Sequence, residues 1–205
     1  MSWEVLSIIG TVAFAISGAI VAMEEEYDLF GVYLLGIVTA FGGGAIRNSL
    51  IGVPVSALWE QTLMFQIALV SITLVFLFPQ KSLAHWNRWG NYFDAIGLSA
   101  FAIQGALFAV NLGLPVSAAI VAAILTGSGG GIIRDLLAGR RPLVLKHEIY
   151  AVWAGIAGLI IGLELIKADW VLYTLFVVIT ALRIVSYIFK WSLPFKSLKP
   201  TIINK

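Results

Sequence analysis

Seven apolar runs confine this chain to one class of fold. They lie at roughly 5–23, 31–51, 58–78, 93–110, 115–138, 149–166 and 170–189 of the 205 residues. A helix needs about 20 mainly apolar residues to cross a hydrocarbon core about 30 Å thick. In lipid every backbone polar group must find its partner inside the protein, so the runs are expected to be helices. The two-residue alternation of a membrane barrel is not what the sequence displays. Composition agrees, with 60% hydrophobic and 12% charged residues, against about 25% charged in soluble domains. The expected fold is an all-α integral membrane protein of seven transmembrane helices, with residues 1–205 forming a single membrane domain.

The chain also repeats itself at an offset of 87 residues. Ala13-Phe14-Ala15-Ile16-Ser17-Gly18-Ala19 falls on Ala100-Phe101-Ala102-Ile103-Gln104-Gly105-Ala106. Gly42-Gly43-Gly44 falls on Gly129-Gly130-Gly131, Arg47 on Arg134 and Gly52 on Gly139. One inserted residue later, Pro54 meets Pro142 and Glu60 meets Glu148. Shared hydrophobic bias would scatter matches among Leu, Ala and Val; here Gly, Arg, Pro and Phe match in order. Three spans per copy, 5–78 and 92–166, make the second copy enter the membrane from the opposite side. An inverted repeat of three plus three helices results, with a seventh helix at 170–189 and a tail at 190–205. Such repeats characterise transport proteins, whose sites lie near the midplane at the repeat interface.

Loop charges set the expected orientation. Lys81, Arg88, Arg140, Arg141, Lys146, Lys190, Lys196, Lys199 and Lys205 share one side, against Lys167 and Arg47 on the other. This places the C-terminus in the cytoplasm and the N-terminus outside, in a multi-pass cell-membrane protein. Trp3, Trp59 and Trp170 would mark the outer interface, with Trp86, Trp89 and Trp191 at the inner one. The N-terminus lacks the basic region of a signal peptide, so the first run is expected to stay as a span. There is no cysteine, which excludes disulfides and thiolate chemistry. His85 and His147 are too far apart in sequence to read as a metal motif. No cofactor, nucleic-acid partner or resident metal is expected.

The two glycine triplets are the candidate functional feature. Glycine costs about 1 kcal/mol relative to alanine inside a helix, so three together are expected to break it. Freed carbonyls lining a watery cavity could replace part of a cation's hydration shell. The alternative is close helix packing. Ser17 and Gln104, matched across the repeat, line the same path or bond between helices. Arg47, Asn48, Arg134, Asp135, Asp94 and Arg183 form the candidate gate or charge network. Asp94, at the start of the fourth run, reads as an N-cap, or else as a cation ligand or a partner for an arginine. Arg183 either snorkels inward or pairs with Asp135. Glu60 and Glu148 sit at expected helix starts, where the dipole favours a carboxylate.

The doubled Gly-Gly-Gly-x-x-Arg-Asp/Asn motif, Pro142 to Ala151, and the Asp94-Ala95-x-Gly97 stretch resemble the bacterial branch of the trimeric intracellular cation channels, over about Gly10 to Arg183. Asn48 departs from the aspartate common there. The resemblance implies a homotrimer with an hourglass pore in each subunit, glycine-bent second and fifth spans, and passage of K⁺ and Na⁺. Bacterial members are also labelled glycine transporters.

Two functions follow. One is a channel for monovalent cations, bound only transiently. The other is a secondary transporter of a small zwitterion such as glycine, its carboxylate taken by an arginine. Membrane lipids, anionic ones among them, are expected partners for the cytoplasmic Lys/Arg cluster. A structural or assembly role is weaker, and an enzyme weakest, because no nucleophile–base pair or metal cluster stands in the sequence.

Overall fold

A computed structural model describes residues 2–77, 89–145, 149–165 and 168–194. Lys81, His85, Trp86, Arg88, Lys146, His147, Glu148, Lys167, Lys196, Lys199 and Lys205 lie outside the described residues. Seven α-helices stand among those described: α1 (Ser2–Glu24), α2 (Leu29–Ile51), α3 (Thr62–Leu77), α4 (Trp89–Asn111), α5 (Val116–Leu137), α6 (Tyr150–Gly162) and α7 (Asp169–Ile188). Helices α1, α2, α4, α5 and α7 are long and apolar enough to span a bilayer; α3 and α6 are shorter apolar helices of 16 and 13 residues. A 3₁₀ turn, Val55–Glu60, precedes α3, so Glu60 closes that turn instead of opening the α-helix.

The packing obeys the repeat. Helix α1 packs on α2 and α3 as α4 packs on α5 and α6, and α2 meets α3 as α5 meets α6. The two halves join through α1 on α4 and α2 on α5. Helix α7, which has no repeat partner, lies mainly on α4, with smaller contacts to α6 and α1.

Individual contacts come in reciprocal pairs. Gly10 faces the ring of Phe101, and Gly97, its repeat mate, faces the ring of Phe14. The two rings meet edge to face at 5.2 Å. An alanine methyl at Gly43 would overlap the carbonyl oxygen of Thr126; one at Gly130 would overlap that of Thr39. In both pairs the residue number rises on one helix as it falls on the other. The paired helices are therefore antiparallel, and the repeat is inverted. The backbone repeats too. Gly52 and Gly139 follow α2 and α5 with φ of +77° and +68°, a left-handed geometry that glycine adopts without a Cβ penalty.

The glycine triplets do not break their helices. Both α2 and α5 run as α-helix through them, so the expected freed carbonyls are absent. The physical reason is the crossing itself. Gly42, Gly43, Gly129 and Gly130 bring the two backbones together, with Gly129 against Gly43 Cα and Gly42 against Ile133. Close packing of bare backbone offsets the poor helix propensity of glycine. Gly44 and Gly131 point elsewhere, toward Leu58 and toward Tyr150 and Asp94 respectively.

This division predicts unequal tolerance within one triplet. Gly43→Ala and Gly130→Ala should each lower stability by about 1–3 kcal/mol through overpacking. Gly44→Ala, whose methyl would meet Leu58 at an ordinary 3.5 Å, should be neutral or stabilising by up to about 1 kcal/mol. Thermal unfolding in detergent, followed by tryptophan fluorescence, measures the contrast.

Candidate functional site

Charges buried among apolar helices must be paired, and the second half of the chain pairs them. Arg134, in the last turn of α5, is 3% exposed. Its Nη1 donates to Asp94 Oδ1 at 2.8 Å and to Ser17 Oγ at 2.6 Å. Its Nε and Nη2 reach Asp135 Oδ1 at 2.9 and 2.8 Å. Asp135 Oδ2 accepts from the Leu143 N–H at 3.1 Å, which ties the network to the connection after α5. Arg183 of α7 brings its Nη2 within 3.9 Å of Asp94 Oδ2 and sits over the Tyr150 ring at 4.5 Å. Helices α1, α4, α5, α6 and α7 thus each contribute one side chain or more. Two arginines and two aspartates give zero formal charge, the condition under which a buried ionic group is tolerable.

Two sequence readings are corrected here. Asp94 is not an N-cap. Helix α4 begins at Trp89, so Asp94 lies inside it, fully buried, and binds both arginines. The apolar run starts later than the helix because Gly90 and Asn91 lower its hydropathy. Arg183 does not snorkel: it is 1% exposed and forms an ion pair with Asp94.

A cavity of about 200 Å³ opens beside this cluster, lined by Ser17, Glu24, Asn91, Arg134, Asp135, Arg140 and Arg141 among others. It lies on the face where α1 and α5 end and α4 begins, hereafter the tail face. Across its rim Arg140 pairs with Glu24 at 2.9 Å and Glu25 at 2.6 Å. Burial pulls the Arg140 pKa down, but the hydrogen bonds and charges of Glu25 and Glu24 outweigh it and raise it overall. The Tyr27 hydroxyl donates to the Leu137 carbonyl at 2.6 Å nearby. The vestibule is therefore polar, closed at its floor by the Arg134 network and strapped at its mouth.

The repeat-related site near the opposite, N-terminal face is different. Arg47 is as buried as Arg134, at 3%, yet makes no ion pair among the described residues. Its Nε and Nη2 donate to Asn48 Oδ1 at 3.0 and 2.8 Å, and its guanidinium lies over Phe108 at 4.2 Å. Gln104, the mate of Ser17, donates to Ser7 Oγ. Ser7 is itself the 87-residue mate of Asp94. The structure thus brings Asp94, Arg134, Asp135, Arg183 and Ser17 into one cluster, and holds Arg47, Asn48 and Gln104 apart from it. Sequence reasoning passed over Ser7, Phe108 and the site role of Tyr150. The offset would have found Ser7 once Asp94 was placed.

The model of the Glycine transporter family matches residues 4–80 and again 91–165. The UPF0126 membrane protein YvgT of Bacillus subtilis is 70% identical over 199 residues, 97% of this chain and 98% of the relative. A structure solved for the basis of conductance through TRIC cation channels superposes with a TM-score of 0.80 at 36% identity, over 96% of this chain and 98% of that one. The trimeric intracellular cation channel orthologue from Rhodobacter sphaeroides gives 0.80 at 32% identity, over 91% and 97%.

Buried and exposed ion pairs should separate sharply on mutation. Asp94→Asn removes the carboxylate shared by two buried guanidinium groups and should cost about 3–5 kcal/mol. Arg140→Gln, at the half-exposed rim, should cost under about 1 kcal/mol. Unfolding midpoints of the two variants against the parent, at matched ionic strength, test the ordering.

Proposed function

The chain belongs to the Glycine transporter family, within the UPF0126 membrane proteins, and from that premise we propose that it is a passive channel for monovalent cations. The observation that carries this is the superposition on prokaryotic TRIC cation channels over nearly the whole length of both chains. The polar vestibule ending on buried charges supports the same reading. The path in each subunit of a homotrimer enters the vestibule, meets Ser17 and the Asp94–Arg134–Asp135–Arg183 network, and continues along α1, α4 and the α2–α5 crossing. It passes Gln104 toward Arg47 and Asn48. Gly42, Gly43, Gly44, Gly129, Gly130 and Gly131 act by fixing that crossing, as hinge or seam, with their carbonyls inside the helices.

The network is the gate. It is neutral and fully packed, so an ion can pass only if Arg134 leaves one of its partners. Two discrete arrangements of one salt-bridged element fit what switching requires. The tail face is cytoplasmic, in keeping with Arg140, Arg141 and Lys190 on that side. A second reading, transport of a small zwitterion, has one specific observation in its favour. The vestibule is reached from a single face and closed at its floor, the form of a carrier caught facing one side.

Purified protein in liposomes separates the two. A channel should carry K⁺ down its gradient without accumulating glycine. Saturable, gradient-coupled glycine uptake with no ion conductance would overturn the proposal. Ser17→Ala removes one charge-assisted bond from Arg134, worth about 1.5 kcal/mol or more, and should raise K⁺ flux about tenfold. Unchanged flux would mean that Ser17 merely packs.

A further inference from the structure

The two-fold axis that relates the halves also shows what one half lacks. On the tail-face side, Arg134 Nη1 is received by the Asp94 carboxylate, and Asp135 takes Nε and Nη2. On the N-terminal side the same positions hold Ser7 and Asn48. Both are neutral, and the serine side chain is shorter than that of aspartate. Arg47 keeps the fork on Asn48, the counterpart of the fork on Asp135. Its Nη1 donates to nothing among the described residues, and Phe108 covers the face of the guanidinium. A buried arginine left in this state carries a full positive charge with one donor edge unused.

We propose that this edge is a binding site for a small monocarboxylate. The ligand's carboxylate would stand where the two-fold places that of Asp94, accepting from Arg47 Nη1, with the Ser7–Gln104 pair beside it. Three features fit that chemistry. The guanidinium is a planar fork matched to carboxylates. The missing group is itself the carboxylate of a short side chain. The charge balance calls for a single negative charge, because the other buried arginines already have theirs in Asp94 and Asp135. The site lies five residues before Gly52, the C-cap of α2, at the N-terminal-face end of that helix. It does not depend on whether the chain conducts ions, and binding can be read without flux.

The test is thermal unfolding of the full chain in detergent, titrated with sodium acetate. Sodium and ionic strength are held constant with the salt of a bulky sulfonate. The parent should show a saturable rise in midpoint, and Arg47→Gln should lose it. Because that variant could unfold for unrelated reasons, Ser7→Asp and Asn48→Asp serve as the decisive pair. Ser7→Asp supplies the missing carboxylate at Nη1, Asn48→Asp neutralises the guanidinium at its fork, and each should remove the acetate response while leaving a folded protein. No saturable rise in the parent overturns the proposal. So does an undiminished response in Ser7→Asp and Asn48→Asp. An equal rise with chloride would overturn the carboxylate assignment.

Discussion

Asp94 is the charge on which the buried structure depends. A carboxylate at full burial among apolar helices is sustainable only against cations with good geometry. This one receives a guanidinium from each of two helices, α5 and α7. Once Asp94 is fixed, much else is fixed with it. Arg134 must come inward, which brings Ser17 of α1 and Asp135 into the same knot. Arg183 must come inward as well, which lays α7 against α4. The polar vestibule exists because this knot stops short of the tail face and leaves space beneath the Arg140 strap.

The architecture rests equally on a place with no charge at all. At Gly43 and Gly130 the helices meet backbone to backbone, and at Phe14 and Phe101 the other central pair meets ring to glycine. These contacts lie on the axis, where each residue touches the mate of its neighbour. A change there is felt twice, once in each half. Away from the axis the two halves have diverged, and the divergence is electrostatic. One arginine is neutralised by carboxylates; the other leans on an amide and an aromatic face.

The seven helices, their order and the inverted repeat were legible in the sequence, because hydropathy and the 87-residue offset are local records of them. The role of the triplets was not. Poor helix propensity is a property of glycine alone, whereas the close crossing that offsets it needs a second backbone that only the fold supplies. Asp94 was misplaced for a related reason. Hydropathy marks where a run becomes apolar, and α4 starts five residues before Asp94, among Trp89, Gly90 and Asn91. The Arg183–Asp94 pair joins residues far apart in the chain, and nothing short-range announces it. The loop charges read in sequence at Lys81, Arg88, Lys146 and beyond Phe195 lie outside the described residues.

The placement of Arg183 on the last helix has a consequence for how the protein is made. Helices enter the membrane in the order of synthesis. When α6 has been inserted, the knot holds Asp94, Arg134 and Asp135 and is short of one positive charge. Only α7 supplies it. Until α7 docks, the core holds one carboxylate more than it has guanidinium groups, and Arg183 brings the balance to zero. Neutrality of the knot thus depends on the one helix that has no partner in the repeat.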